Sequence, residues 1–257
     1  MDTRLEAFQQ LLNIMDDLRA QCPWDKKQTL ESLRHLTIEE TYELADAILD
    51  NDLQEIKNEL GDLMLHIVFY AKIGSEQGAF DITDVLQGIN EKLIKRHPHI
   101  YGDVTAETAE EVKDNWEKIK LRGGKKQVLS GVPRSLPAMI KAYRIQDKAR
   151  GVGFDWEHAG QVWEKVLEEM EELKMEVTSE ASHKRTEEEF GDLLFALVNY
   201  ARFIGVNPEN ALERTNKKFI KRFGQLEKEV REAGLNLKKM NLAEMDAFWN
   251  TIKEREE

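Results

Sequence analysis

Apolar residues recur along this chain at intervals of three and four. Leu5, Phe8, Leu11, Leu12, Met15 and Leu18 keep that rhythm at the start, and Val162, Val166, Met170, Leu173 and Val177 keep it in the second half. Such spacing lines apolar side chains along one stripe of an α-helix. Strict apolar/polar alternation, the mark of a half-buried strand, is scarce. With 5 prolines in 257 residues, little interrupts long helices. The pattern predicts an all-α protein built from helical bundles. Its main break is RGGKKQVLSGVPRSLP, residues 122–137, where Gly, Pro and basic residues read as a linker. The linker separates a first module, 1–121, from a second, 138–257.

The modules repeat one another. LTIEETYEL (36–44) aligns with VLEEMEEL (166–173), and NELGDLML (58–65) with EEFGDLLF (188–195). NEKLIKR (90–96) aligns with NKKFIKR (216–222), and EVKDNWEKIK (111–120) with EMDAFWNTIK (244–253). CPWD (22–25) has a looser partner in GFDW (153–156). The same blocks in the same order, at offsets of 126 to 133, are an internal duplication.

Each module carries E-x-x-E on one predicted helix and E-x-x-D on the next: Glu40, Glu43, Glu59 and Asp62, then Glu169, Glu172, Glu189 and Asp192. Residues three apart share a helix face. A turn within KMEVTSEASHKRTEE (174–188) would set the two helices antiparallel and bring four carboxylates to one depth. They would repel unless a cation sits among them. A di-iron bundle supplies Glu-x-x-His, whereas His66 has Ala196 as its counterpart, so histidine is no part of the repeated pattern. An all-oxygen donor set suits Mg²⁺, with Mn²⁺ as a substitute. Gly61 and Gly191 stand beside the carboxylates although Gly inside a helix costs roughly 1 kcal/mol relative to Ala. They free space for another helix or a ligand to approach. An isolated E-x-x-E among 49 acidic residues is ordinarily a solvated face; duplication and the paired glycines lift this one above that reading.

Composition narrows the chemistry. A net charge of −12 argues against a nucleic-acid partner, which needs a basic face. Cys22 is the sole cysteine, which excludes a disulfide framework and fits a reducing compartment. No stretch approaches 18 uncharged apolar residues, and MDTRLEAFQQ lacks a signal-peptide pattern, so a cytoplasmic protein without a membrane partner is expected. Positive charge is placed selectively. Lys218, Lys221 and Arg222 share a helix face and could grip phosphate oxygens. Trp249 offers a flat face for a base or packs in the core. Lys165 stands four before Glu169 and Arg185 four before Glu189, while their counterparts are Leu36 and Glu55. A triphosphate should therefore prefer the second module. The first also continues into KRHPHIYG, where Pro98 cuts its helix short.

The ordered set E-E-x-x-E, E-[LF]-G-D-L and N-x-K-[LF]-x-K-R resembles the MazG family of nucleoside triphosphate pyrophosphohydrolases over nearly the whole chain, tandem arrangement included. The resemblance implies an all-α fold whose bundles are completed in a homodimer. It implies Mg²⁺-dependent hydrolysis of NTPs and dNTPs, with a broad base range, to monophosphate and pyrophosphate. Carried over by motif, Glu169, Glu172, Glu189 and Asp192 would bind metal, with Glu172, Glu189 and Asp192 catalytic. Lys165, Val166, Leu167, Glu168 and Glu169 would border the nucleotide, as would Arg185, Thr186, Glu187 and Glu188, then Lys218, Phe219, Ile220, Lys221, Arg222 and Trp249. The second module would carry catalysis. The first, with Glu40, Glu43, Glu59 and Asp62, would serve structure or regulation. Two alternatives stay open: a non-enzymatic acidic scaffold or metal-binding interaction protein, and the same fold acting on a narrow substrate such as dUTP.

Overall fold

The computed structural model describes residues 2–106, 108, 111, 112, 115, 127–179 and 182–255. Two compact units emerge, Met1–Ile119 and Lys120–Glu257. Every described element is helical, as the apolar periodicity predicts. The aligned block at 111–120 and the first residues of the basic linker lie largely outside the described residues.

The first unit contains α1 (Thr3–Gln21), α2 (Leu30–Asp50), α3 (Leu53–Glu76), α4 (Ile82–Arg96) and the short α5 (Pro98–Tyr101). Local chemistry fixes the joint that matters most. Asn51 closes α2 in the left-handed region at φ 57°, a conformation Asn tolerates better than most residues. Asp52 then caps α3, its carboxylate accepting from the Gln54 and Glu55 amides at 3.0 Å. Two residues thus reverse the chain, and α3 folds back along α2. Met15, Leu33, Val68, Phe69 and Ile73 form the core between α1, α2 and α3. Leu5, placed on the stripe by its spacing, is 67% exposed, because the core begins a turn later at Phe8.

The second unit contains α6 (Ala138–Arg150), α7 (Ala159–Thr178), α8 (His183–Phe203), α9 (Pro208–Glu232) and α10 (Leu242–Glu254). The turn expected within 174–188 falls between the ends of α7 and α8, and these helices pack together. Gln146 of α6 donates to the Phe195 carbonyl of α8 at 2.7 Å. Leu226 and Val230 of α9 close on Ile252 of α10. A turn at Val128–Gly131 packs on α6, so the later part of the basic stretch belongs to this unit. Pro98 ends α4 after 15 residues, while its counterpart α9 runs for 25.

An arginine holds the aromatic-acidic loop of each unit, from a different direction. Arg19 of α1 donates to the Asp25 and Gln28 carbonyls and pairs with Glu76. Arg202 of α8 instead grips the Asp155 side chain, one contact spanning 2.9 Å. The loosely matching CPWD and GFDW are thus held by different contacts.

Met15 is 1% exposed at the centre of the first core. Met15→Ala should cost about 2–5 kcal/mol, measured by denaturant unfolding. A loss below about 1 kcal/mol would mean the core collapses around the gap or is packed elsewhere.

Candidate functional site

The α2–α3 reversal sets Glu40 and Glu43 of one helix against Glu59 of the next. One carboxylate oxygen from each lies within 4.8 Å of the others. Glu169 and Glu172 of α7 meet Glu189 of α8 within the same limit. On α7 the buried stripe runs Val162, Val166 and then Glu169, which is only 7% exposed. A carboxylate thus occupies the next core position, while Met170 and Val177 face outward at 50% and 59%. The expected gathering of four is a gathering of three in each unit. Asp62 and Asp192 are exposed one turn further on and stand outside the groups.

Charge separates the two groups. Lys165 reaches Glu168 and Glu169, both at 2.7 Å. The hydrogen bond to Glu168, then that to Glu169, holds its ammonium firmly protonated. Glu172 is pushed above the ordinary carboxylate range by desolvation and then by the Glu169 charge, with Lys165 opposing. The first unit has Leu36 at the matching position. Among the described residues no lysine or arginine is paired with Glu40, Glu43 or Glu59. Burial, then the charges of Glu43 and Glu55, push Glu59 up to about 7. Its buried Oε2 has no hydrogen-bond partner. Glu43 is raised by desolvation and by Glu40, Glu39, Glu55 and Asp62.

Other candidates are distributed less tightly. Arg185 pairs across the hairpin with Glu176 at 2.7 Å; no ion pair joins it to Glu189 in spite of the shared face. The Val166 side chain is core at 3% exposure, whereas Leu167 is 43% exposed. Glu187, Glu188 and Ile220 lie on the surface and Thr186 is half-buried. Lys218, Lys221 and Arg222 line one depression of about 630 Å³ together with Lys217 and Arg255. Spacing alone missed Arg255, because only the α9–α10 hairpin brings that helix end to the basic face. Trp249 packs against Phe219 at 5.2 Å between ring centres, and Phe219 stacks on Phe223 at 5.9 Å. Phe219 remains 55% exposed, so the aromatic group keeps an open face. Asn216 donates to Glu213 within α9 at 3.1 Å. A Cβ on Gly61 or Gly191 would meet nothing within 4 Å. No neighbouring helix of the described residues therefore explains these glycines.

The model of the MazG nucleotide pyrophosphohydrolase domain matches residues 28–101 and again 160–226, more than half of the chain and both carboxylate hairpins. The chain belongs to the MazG family. It is 42% identical to the nucleoside triphosphate pyrophosphohydrolase of Escherichia coli (strain K12), over 98% of this chain and 99% of that protein. Identity is 44% to the nucleoside triphosphate pyrophosphohydrolase/pyrophosphatase MazG of Thermotoga maritima, over 96% of this chain and 95% of that one. Bacillus subtilis YabN, described as uncharacterized, is 47% identical over 97% of this chain and 52% of its own length. The domain model thus matches twice, once in each half of the duplication. No described helix is long and apolar enough to cross a membrane.

The raised Glu59 has a definite consequence for the first MazG repeat. Its folded proton affinity exceeds the unfolded one, so the folded state holds more protons between about 4.5 and about 7. Its contribution to stability therefore falls as pH rises through that window in a chelated sample. Glu59→Gln should flatten this part of the melting-temperature profile, read in EDTA at pH 5 and pH 8. An unchanged slope would show that Glu59 titrates normally.

Proposed function

We propose that this MazG enzyme hydrolyses NTPs and dNTPs of broad base range to nucleoside monophosphate and pyrophosphate, with Mg²⁺, at the carboxylate group of its second unit. The observation that carries the reading is the meeting of Glu169, Glu172 and Glu189 on facing helices, with Lys165 at their edge. The identity to the E. coli and T. maritima enzymes over nearly their full lengths supports the triphosphate substrate.

The donor set fits a hard cation. Three carboxylates offer oxygen alone, and a small ion that keeps some of its waters needs few protein ligands. Glu169, Glu172 and Glu189 would hold Mg²⁺, with Asp192 turning in from the next turn of α8. When bound, the ion supplies neutralisation of phosphate oxygens and a more acidic water. Around it, Lys165 stands ready to exchange its carboxylate partners for a phosphate oxygen. Lys218, Lys221, Arg222 and Arg255 offer further cations to the polyphosphate. Water adds to the α-phosphorus, the bond to the β-phosphate oxygen breaks, and pyrophosphate leaves. A carboxylate of the group accepts the proton that the water gives up. The open face of Phe219 and Trp249 could stack any base, and stacking is indifferent to base identity.

We further propose a homodimer in which apolar helix faces meet. α4 has no buried residue, and Val85, Leu86, Ile89, Leu93 and Ile94 are all exposed by more than a third. Exposed apolar rows of this kind mark association surfaces. The first unit would serve assembly or regulation, and a cytoplasmic site of action suits nucleotide-pool housekeeping.

Pyrophosphate release from mixed NTPs with Mg²⁺ tests the reading. Glu172→Ala should lower kcat at least about 100-fold, whereas Glu43→Ala should retain most of the activity. Loss in Glu43→Ala with Glu172→Ala spared would reverse the two units. No release from either the variants or the parent protein would favour a non-enzymatic acidic scaffold, and release from dUTP alone would favour the narrow substrate.

A further inference from the structure

The two carboxylate groups share a geometry but differ in what neutralises them. In the second, the Lys165 ammonium already sits on Glu169 at 2.7 Å, so a divalent ion must displace an internal cation. In the first, Leu36 leaves that place without charge. Glu39, Glu55 and Asp62 add negative potential around Glu40, Glu43 and Glu59. Glu59 is 5% exposed, and its Oε2 is a buried acceptor with no donor. Among the described residues, it is the one carboxylate oxygen left so. A buried oxygen of this kind costs free energy until something positive meets it. Nearby chemistry does not favour a polyphosphate there. Glu55 replaces Arg185, and Glu91 stands in α4 where α9 has Lys217.

We propose that Glu40, Glu43 and Glu59 form a divalent-cation site that fills without nucleotide, whereas the Glu169–Glu172–Glu189 group takes its cation only together with a triphosphate. The first site cross-links α2 and α3 and holds no substrate. In the second, an arriving triphosphate draws Lys165 away from Glu169, and the vacated carboxylate becomes available to the ion that accompanies the phosphates. The first cation is structural, and the second arrives with the substrate. Binding at the first site is independent of the catalytic assignment, because it is read without turnover.

The test is a Mn²⁺ titration of the full chain, followed by the electron paramagnetic resonance signal of free Mn²⁺. Without nucleotide, one Mn²⁺ per chain should bind. Glu43→Gln, at an exposed position, and Glu40→Gln should each weaken it at least about tenfold, the lower end of what even outer-shell changes cost a metal site. Circular dichroism confirms that both variants stay folded. Glu172→Gln should leave this nucleotide-free binding in place. Lys165→Met should add a second nucleotide-free Mn²⁺, and a non-hydrolysable α,β-methylene triphosphate should do the same for the parent protein. Nucleotide-free Mn²⁺ that is lost in Glu172→Gln and kept in Glu43→Gln overturns the proposal. So does a parent protein that binds two ions, or none, before nucleotide is added. Pyrophosphate release reads the second unit separately, so a failed titration with intact turnover condemns only the first-unit site.

Discussion

Carboxylates crowded onto facing helices repel one another, and that repulsion organises everything else in this protein. Each unit spends a buried helical position on a glutamate, Glu59 in one and Glu169 in the other, and brings two more within 4.8 Å. Hydrocarbon at those positions would pack without cost. Acidic side chains there make sense when a cation completes them. The hairpin turns, the caps and the apolar stripes are the means by which three oxygens are held at one depth.

Duplication made two such groups, and small changes in charge set them apart. Lys165 stands where the first unit has Leu36, and Arg185 where it has Glu55. In the proposed reading a polyphosphate needs positive charge beside these carboxylates, which the second unit has at both positions and the first at neither. On α9, Lys217, Lys218, Lys221 and Arg222 lie together with Arg255 of α10, whereas α4 keeps Lys92, Lys95 and Arg96 but has Glu91 in place of Lys217.

Much of this is readable without coordinates. Helical periodicity, the duplication and the meeting of each E-x-x-E with a glutamate of the next helix are present in the structure, because three- and four-residue spacing maps directly onto helix faces. What sequence could not supply is distance across a hairpin. Asp62 and Asp192 share a face with Glu59 and Glu189, yet both are exposed and fall outside the two groups of three. Arg185 shares a face with Glu189, yet its long side chain finds Glu176 on the opposite helix. Arg255 joins the basic depression only through the α9–α10 packing of Leu226, Val230 and Ile252. Gly61 and Gly191 open onto space that no described residue fills.

The most direct measurement is a crystal grown with Mn²⁺ and an α,β-methylene nucleoside triphosphate, examined by anomalous scattering. The account predicts a metal peak within about 2.5 Å of oxygens from Glu169, Glu172 and Glu189, with the phosphates bridging it to Lys165 and the basic face of α9. A nucleotide bound elsewhere, or bound in the second unit with no metal between it and these three glutamates, would contradict it.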